Sequence, residues 1–66
     1  MNLELGKIYE TRAGHIITIV DVDFKRSRPY HGTIMNGKEV IRVASFYSNG
    51  MYTDYPTEFD IVKEKL

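Results

Sequence analysis

The chain contains neither cysteine nor tryptophan. The absence of cysteine excludes disulfide bonds and thiolate metal sites, and it favours a reducing, cytoplasmic compartment. The absence of tryptophan disfavours recognition of proline-rich peptides, because the aromatic groove that binds them normally relies on this residue.

Excess charge is also missing, because nine lysine and arginine residues balance nine aspartate and glutamate residues. Neutrality is not typical of a dedicated nucleic-acid-binding protein, whose affinity comes largely from neutralising phosphates. No run approaches the roughly 20 apolar residues of a membrane span, and the first residues do not resemble a signal peptide. We therefore expect a single small domain over residues 1–66, without a membrane segment.

Two Asn-Gly dipeptides dominate the stretch Tyr30–Asp54. Both central residues of a type I′ turn need positive φ, which makes Asn-Gly between apolar runs a strong hairpin signal. Asn36-Gly37 and Asn49-Gly50 therefore predict a three-stranded antiparallel meander. The predicted register places Met35, Ile34 and Gly32 opposite Lys38, Glu39 and Ile41.

Further strands are predicted at Lys7–Arg12, His15–Phe24 and Ile61–Lys63, where β-branched and alternating residues predominate. We expect residues 1–6 to be a lead-in, residues 64–66 to fray, and the last strand to pair with the first and close the sheet. The predicted fold is all-β: a small, strongly bent antiparallel barrel of the Src-homology-3-like type. It has five or six short strands and one 3₁₀ turn before the last strand, and the oligonucleotide-binding barrel is the alternative.

The core faces follow from the alternation of apolar residues. In the second strand we assign to the core Ile16, Thr18, Val20, Val22 and Phe24. The other face is apolar only in its first half, at Ile17 and Ile19, as expected for a bent strand that is covered on both faces at one end. In the meander we assign to the core Tyr30, Ile34, Ile41 and Val43. The pattern becomes irregular near Ala44, where we expect a β-bulge.

Aromatic residues cluster around the second Asn-Gly pair. The chain has five tyrosines and three phenylalanines, and tyrosine is favoured at interfaces because its ring buries area at low entropic cost. Exposed rings beside a carboxylate can also surround a cationic group, whereas the alternative is that the rings fill a thin core. The candidate partner-binding residues are Phe46, Tyr47, Tyr52, Asp54 and Tyr55.

A basic segment, Lys25–Pro29, predicts an exposed loop, because three cations precede a proline. Such a loop can contact phosphates while aromatic rings stack on bases. The candidate nucleic-acid-binding residues are Arg12, Lys25, Arg26 and Arg28. The alternative is an ordinary solvated loop, partly neutralised by Asp21 and Asp23.

Recognisable catalytic and metal-binding motifs are missing from the sequence. Asp21 and Asp23 share a strand face, but no metal-binding loop follows them. His15 and His31 lack the spacing of zinc motifs, and the serines lack a G-x-S-x-G context. We expect no enzyme activity, no cofactor and no metal.

Four segments together resemble a known pattern: Tyr9-Glu-Thr11-Arg12-Ala-Gly14, Pro29-Tyr-His-Gly32-Thr-Ile34, Ser45-Phe46-Tyr-Ser-Asn49-Gly50-Met-Tyr52 and Phe59-Asp60-Ile61-Val62. The pattern is similar to that of small, mostly uncharacterised bacteriophage-encoded proteins, which read Tyr-x-Thr-Arg-x-Gly, Pro-x-x-Gly-x-Ile, Trp-x-x-Asp/Asn-Gly-x-Tyr and Asp-Leu-Val. Phe46 stands where tryptophan is usual. The resemblance implies a phage or prophage origin, a bacterial host cytoplasm and a small barrel.

These observations together favour a non-enzymatic protein that binds a host or defence-system protein through its tyrosine-rich face. One alternative is nucleic-acid binding through the Lys25–Arg28 loop. The other is a homo-oligomeric structural component whose edge strands pair with copies of themselves, since low net charge removes one barrier to association.

Overall fold

The computed structural model describes residues 3–65 and contains five strands in one antiparallel sheet. The strands are β1 (Ile8–Thr11), β2 (Ile16–Val22), β3 (Tyr30–Asn36), β4 (Glu39–Phe46) and β5 (Ile61–Glu64). Their order is β4-β3-β2-β1-β5, so each of the first four strands pairs with its neighbour in sequence and β5 returns to β1. The prediction of an all-β fold is confirmed. Within the described residues there is no helix long and apolar enough to cross a membrane.

The β3–β4 hairpin forms where the first Asn-Gly pair predicts it, but its register differs from the prediction. Asn36 pairs with Glu39 and Met35 with Val40, so Gly37 and Lys38 form the turn. Gly37 has a φ of 64°, and every described residue with positive φ is a glycine. A glycine with positive φ at the first central position is typical of a type II′ turn, whereas the type I′ turn predicted at Asn36-Gly37 would require positive φ at Asn36 as well.

The predicted core face of β2 is wrong as far as Val20 and right at Val22, which packs against the core. Ile17 and Ile19 are fully buried, whereas Val20 is 53% exposed and Phe24 76% exposed. The register with β3 shifts between Ile19 and Asp21, which leaves Val20 in a bulge. The bulge interrupts the two-residue alternation, so the inward positions are Ile17, Ile19 and then Val22, which packs against the core.

A second bulge changes the faces of β4. It lies at Ile41, where the register with β3 shifts, and not near Ala44 as predicted. Ala44 and Phe46 are buried, whereas Val43 is 71% exposed and Ile41 is also exposed, so their predicted assignment to the core is wrong. The outer surface of β4 consequently carries three exposed aliphatic side chains: Val40, Ile41 and Val43.

The core lies on one face of the sheet and includes residues from every strand and from the lead-in. Its buried apolar members are Leu3, Tyr9, Ile17, Ile19, Ile34, Ala44, Phe46 and Ile61. The Tyr9 hydroxyl accepts a hydrogen bond of 2.7 Å from the Glu4 backbone N–H, which ties the lead-in to β1. The predicted lead-in is thus packed into the fold from Leu3 onward, while residues 1 and 2 lie outside the described residues.

The second Asn-Gly pair reverses the chain but no third strand of a meander follows it. Residues 51–60 are irregular, and a single turn closes at Asp60, whose N–H donates to the Thr57 carbonyl over 3.4 Å. The single turn predicted before the last strand is thus present, although it is not extended into a 3₁₀ helix. We call residues 47–60 the β4–β5 loop.

The last strand, β5, pairs with β1 as predicted, but the sheet of residues 3–65 is not closed into a barrel, because β4 and β5 are its edges. One backbone hydrogen bond, from Ile61 N–H to the Gly50 carbonyl over 2.9 Å, joins the chain that follows β4 to the start of β5. The predicted fraying is wrong for Glu64, which belongs to β5, and for Lys65, whose N–H donates to the Ile8 carbonyl. Residue 66 lies outside the described residues.

Candidate functional site

The β4–β5 loop begins with a tight turn at Tyr47–Gly50. The Gly50 N–H donates to the Tyr47 carbonyl, and the Tyr47 N–H donates to the Met51 carbonyl, each over 2.9 Å. Gly50 has a φ of 89°, and a Cβ at this position would lie 3.1 Å from the Ile61 carbonyl oxygen. Only glycine meets both requirements without strain, so this residue permits the close approach of the loop to β5.

The end of the loop is held by the carboxylate of Asp60, which is 2% exposed. It accepts hydrogen bonds from the backbone N–H groups of Tyr52 and Thr57, each over 3.0 Å, and from the Thr57 hydroxyl over 2.9 Å. Arg12 adds a longer ion pair of 3.4 Å. Burial raises the pKa of Asp60, but the hydrogen bonds from Tyr52, Thr57 and Arg12 outweigh burial and hold this pKa below its usual range.

The predicted partner-binding residues divide between core and surface. Phe46 is fully buried and belongs to the core. The Tyr52 ring is half-buried, with its centre 6.0 Å from that of Phe46 and 5.5 Å from that of Phe59. Tyr55 is 65% exposed. Tyr47, Tyr52, Asp54 and Tyr55 therefore remain as the accessible part of the predicted face.

Tyr47 and Asp54 form one wall of a surface groove. The Tyr47 hydroxyl donates a hydrogen bond of 2.9 Å to the Asp54 carboxylate. This hydrogen bond, followed by partial burial and the charge of Asp54, raises the pKa of Tyr47 above its usual value. The groove has a volume of about 470 Å³ and is lined by Ser27, Tyr47, Ser48, Asn49, Met51, Thr53 and Asp54.

Two arginines hold the Tyr52 side of the loop. Arg28 donates to the Tyr52 carbonyl over 2.9 Å, and its guanidinium carbon lies 5.9 Å from the centre of the Tyr52 ring. Arg42 donates to the Tyr52 hydroxyl over 3.1 Å and lies 4.7 Å from the centre of the Phe59 ring. Sequence reasoning missed these contacts because their partners lie 10 or more positions apart and no local pattern marks them.

The predicted nucleic-acid-binding residues lie in two segments of the chain. Arg12 is held by Asp60 and by the Thr57 carbonyl, to which its Nε–H donates over 3.2 Å. Lys25, Arg26 and Arg28 lie together in the β2–β3 loop, as predicted. Arg26 and Arg28 contribute to a cavity of about 310 Å³ that is also lined by Ser27, His31 and Ser45.

The acidic and imidazole residues have local partners. Asp23 accepts from the Lys25 N–H and forms a 3.4 Å ion pair with Arg26. His31 Nδ1 lies 2.8 Å from the Ser45 hydroxyl oxygen, and the His15 ring stacks on that of Phe59. Among residues 3–65, no group of three or more histidine, aspartate or glutamate side chains is arranged to hold a metal ion.

One cross-strand row was missed by the sequence analysis. Asp21 pairs with His31 across β2 and β3, and His31 pairs with Ser45 across β3 and β4. This adjacency depends on the bulge in β2, because the bulge changes which residue of β2 lies opposite His31. The row places a hydrogen-bonded His–Ser pair beside the two arginines of the smaller cavity.

Comparison with protein families, with curated proteins and with solved structures finds no match.

Proposed function

We propose that the protein is a non-enzymatic interaction protein that binds another protein through Tyr47, Tyr52, Asp54 and Tyr55. The observation that supports this most is the groove beside the Tyr47–Asp54 hydrogen bond, whose walls are aromatic, polar and acidic at once. Rigid tyrosines on a held loop lose little entropy on binding, which is the property that makes tyrosine common at interaction surfaces.

The chemistry of the groove favours a cationic side chain of the partner. Asp54 is exposed and supplies a carboxylate at the groove, while the Tyr47 ring supplies a face with negative potential. A lysine or arginine of the partner can pair with the carboxylate and lie over the ring, with its aliphatic stem against Met51. The exposed Tyr55 ring then lies outside the groove, where it can add contact area.

The resemblance to bacteriophage-encoded proteins supports a bacterial host protein, or a component of a host defence system, as the partner. We also infer that the open sheet is a variant of the Src-homology-3-like bent barrel. The hydrogen bond between Ile61 and Gly50 supports this, because it brings the two ends of the sheet together. A binding role is favoured over catalysis because the His31–Ser45 pair faces an open cavity, from which water is not excluded.

Affinity capture from a bacterial host lysate, with quantitative mass spectrometry, tests the proposal. We expect proteins captured by the wild type to be lost with Asp54→Ala and with Tyr55→Ala, which change exposed side chains and leave the core intact. Lys38→Ala is the matched control, since Lys38 is exposed in the turn at the far end of β4. Equal recovery of the same proteins by all four chains would contradict the proposal.

The exposed edge of β4 favours a second candidate function, a homo-oligomeric structural component. The edge carries Val40, Ile41 and Val43 in exposed positions, and the chain has no net charge. In an antiparallel pairing of two β4 strands, Val40 and Ile41 of one copy can lie opposite Ile41 and Val40 of the other. The same register places Glu39 opposite Arg42, so that charges of opposite sign face each other.

A further inference from the structure

The smaller cavity, between the β2–β3 loop and the ends of β3 and β4, is lined only by hydrogen-bonding and basic side chains. These are Arg26, Ser27, Arg28, His31 and Ser45. No carboxylate lines it among the residues that the structure describes. We propose that this cavity binds a phosphate group, an inference that goes beyond the proposed protein interaction and does not depend on it.

Arg28 is the best-positioned cation of the cavity. One of its terminal nitrogens donates to the Tyr52 carbonyl over 2.9 Å, and the guanidinium packs near the Tyr52 ring. A guanidinium has five N–H donors, so the remaining ones can serve a ligand. Within residues 3–65, Arg28 forms no ion pair with a carboxylate, so its charge is not already neutralised by contact.

The opposite wall supplies a hydroxyl donor whose position is set by a neighbouring imidazole. His31 and Ser45 are half-buried neighbours on adjacent strands, and Nδ1 lies 2.8 Å from Oγ. An imidazole that donates through Nδ1 to Ser45 leaves the serine O–H free to donate into the cavity. The Ser27 hydroxyl lies on the loop side. A phosphate oxygen can accept from the hydroxyls of Ser45 and Ser27 without disturbing the sheet.

Arg26 has a competing partner, the carboxylate of Asp23, at 3.4 Å. Arg26 is exposed, and an exposed ion pair of this length holds its partner only weakly. A phosphate group carries more charge than a carboxylate and matches the planar fork of a guanidinium, so it competes well for Arg26. Asp21, beside His31, opposes binding by its negative charge and sets a limit on affinity.

Titration with inorganic phosphate, followed by ¹H–¹⁵N NMR at constant ionic strength, tests the proposal. We expect changes in chemical shift that saturate as phosphate is added and that are confined to the amides of residues 26–28, 31 and 45. Chloride should cause no such changes. Arg28→Ala should weaken binding by about tenfold, since it removes charged hydrogen bonds. Arg28→Lys should recover only part of this loss, because it restores the charge without the fork.

Controls separate this site from general electrostatics and from the protein-binding face. Lys38→Ala removes the same charge at the far end of the hairpin and should leave phosphate affinity unchanged. Tyr47→Phe should also leave it unchanged, even if it abolishes partner capture. Shifts that do not saturate, or equal losses with Lys38→Ala and Arg28→Ala in chains that keep their dispersed spectra, would overturn the proposal.

The source of the phosphate is distinguished by comparing inorganic phosphate, adenosine monophosphate and a short oligothymidylate at equal phosphate concentration. Tighter binding of the mononucleotide assigns a small phosphorylated ligand, and tighter binding of the oligonucleotide assigns a single-stranded nucleic acid. Either result supports the phosphate site if it remains sensitive to Arg28→Ala. Binding of the oligonucleotide that is insensitive to Arg28→Ala would count against it.

Discussion

The Asp60 carboxylate holds the β4–β5 loop together and joins it to the residue that follows β1. It accepts from Tyr52 and Thr57 in the β4–β5 loop and pairs with Arg12, which follows β1. Because the carboxylate is buried, each lost hydrogen bond leaves a polar group unsatisfied. The shape of the candidate binding loop therefore depends on the ionised state of one side chain.

The lowered pKa of Asp60 predicts a loss of stability in acid. A carboxyl whose pKa is lower in the folded than in the unfolded chain contributes stability above the unfolded value, 3.8, and this contribution is lost as the pH falls through the folded value. We expect Asp60→Asn to be less stable by about 2–3 kcal/mol at neutral pH. The difference from wild type should shrink as the pH falls below the unfolded value.

Urea unfolding between neutral pH and acid measures this difference. Glu58→Gln is the control, because Glu58 is exposed in the same turn, and it should follow the wild type at every pH. If Asp60→Asn does not fold, the loss of stability between neutral pH and acid is measured in the Glu58→Gln chain, in which Asp60 is intact. A difference between Asp60→Asn and wild type that is independent of pH would contradict the assignment.

At the scale of the strands, the bulges at Val20 and Ile41 decide which side chains are buried. Neither predicted core face includes a bulge at these positions. The face predicted for β2 is wrong before the bulge and right after it, at Val22, whereas the face predicted for β4 is wrong from Ile41 onward. Val20 and Ile19 are equally apolar, so composition carries no signal that one of them faces solvent. The strands themselves could be predicted because β-branched runs and turn glycines are local signals.

Substitution of neighbouring residues in β2 tests this assignment of faces. We expect Ile19→Ala to destabilise the protein by about 2–4 kcal/mol, because it opens a cavity in a small core. Val20→Ala should change stability by less than about 1 kcal/mol, since its side chain is half exposed in a bulge. Chemical denaturation measures both, and the reverse order would show that Val20 faces the core.

The glycines of the two Asn-Gly turns differ in the space available for a side chain. Gly37 has positive φ but open space around its missing Cβ, whereas Gly50 also has the Ile61 carbonyl oxygen at 3.1 Å. We expect Gly37→Ala to cost about 1 kcal/mol from backbone strain alone. Gly50→Ala should cost about 1–2 kcal/mol more, because the loop must move away from β5.

Thermal or urea unfolding of the two glycine variants provides the comparison, and each is the other's control. A matched second measurement is hydrogen exchange of the Ile61 amide, which donates to the Gly50 carbonyl. It should exchange faster in Gly50→Ala and remain unchanged in Gly37→Ala. Equal effects of the two substitutions would mean that the contact with Ile61 contributes nothing to stability.

The candidate site was predictable only where its contacts are local. Tyr47 and Asp54 lie seven positions apart across a turn that Asn49-Gly50 indicates, so their proximity follows from the sequence. The contacts of Arg28 and Arg42 with Tyr52 depend on how the loop folds back over the sheet, and no spacing rule reports them. Phe46 belongs to the core, as in the alternative interpretation of the aromatic cluster, because the bulge at Ile41 reverses the faces of β4.

At the scale of the whole molecule, the sheet has two unprotected edges of different character. β4 exposes Val40, Ile41 and Val43, whereas β5 exposes Val62 beside Lys63 and Glu64. Charged residues on an edge oppose pairing with another chain, and aliphatic residues favour it. Self-association is therefore expected through β4 and not through β5.

Sedimentation velocity over a range of concentrations tests self-association. We expect a dimer that dissociates on dilution, and we expect Val43→Lys to remain monomeric because it places like charges at the paired edge. Val62→Lys adds the same charge to the other edge and should leave the dimer unchanged. A wild-type monomer at millimolar concentration would remove the homo-oligomer from consideration.

The β4–β5 loop is fastened at its start by the turn at Tyr47–Gly50 and at its end by Asp60, whereas the tip at residues 53–56 is built from short-range bonds between Thr53 and Tyr55. The fold thus separates the residues that carry the loop from those that it displays. Side chains at the tip can therefore be exchanged while the hydrogen bonds of the turn and of Asp60 stay in place, so that the exposed chemistry of the loop can change without a change of scaffold.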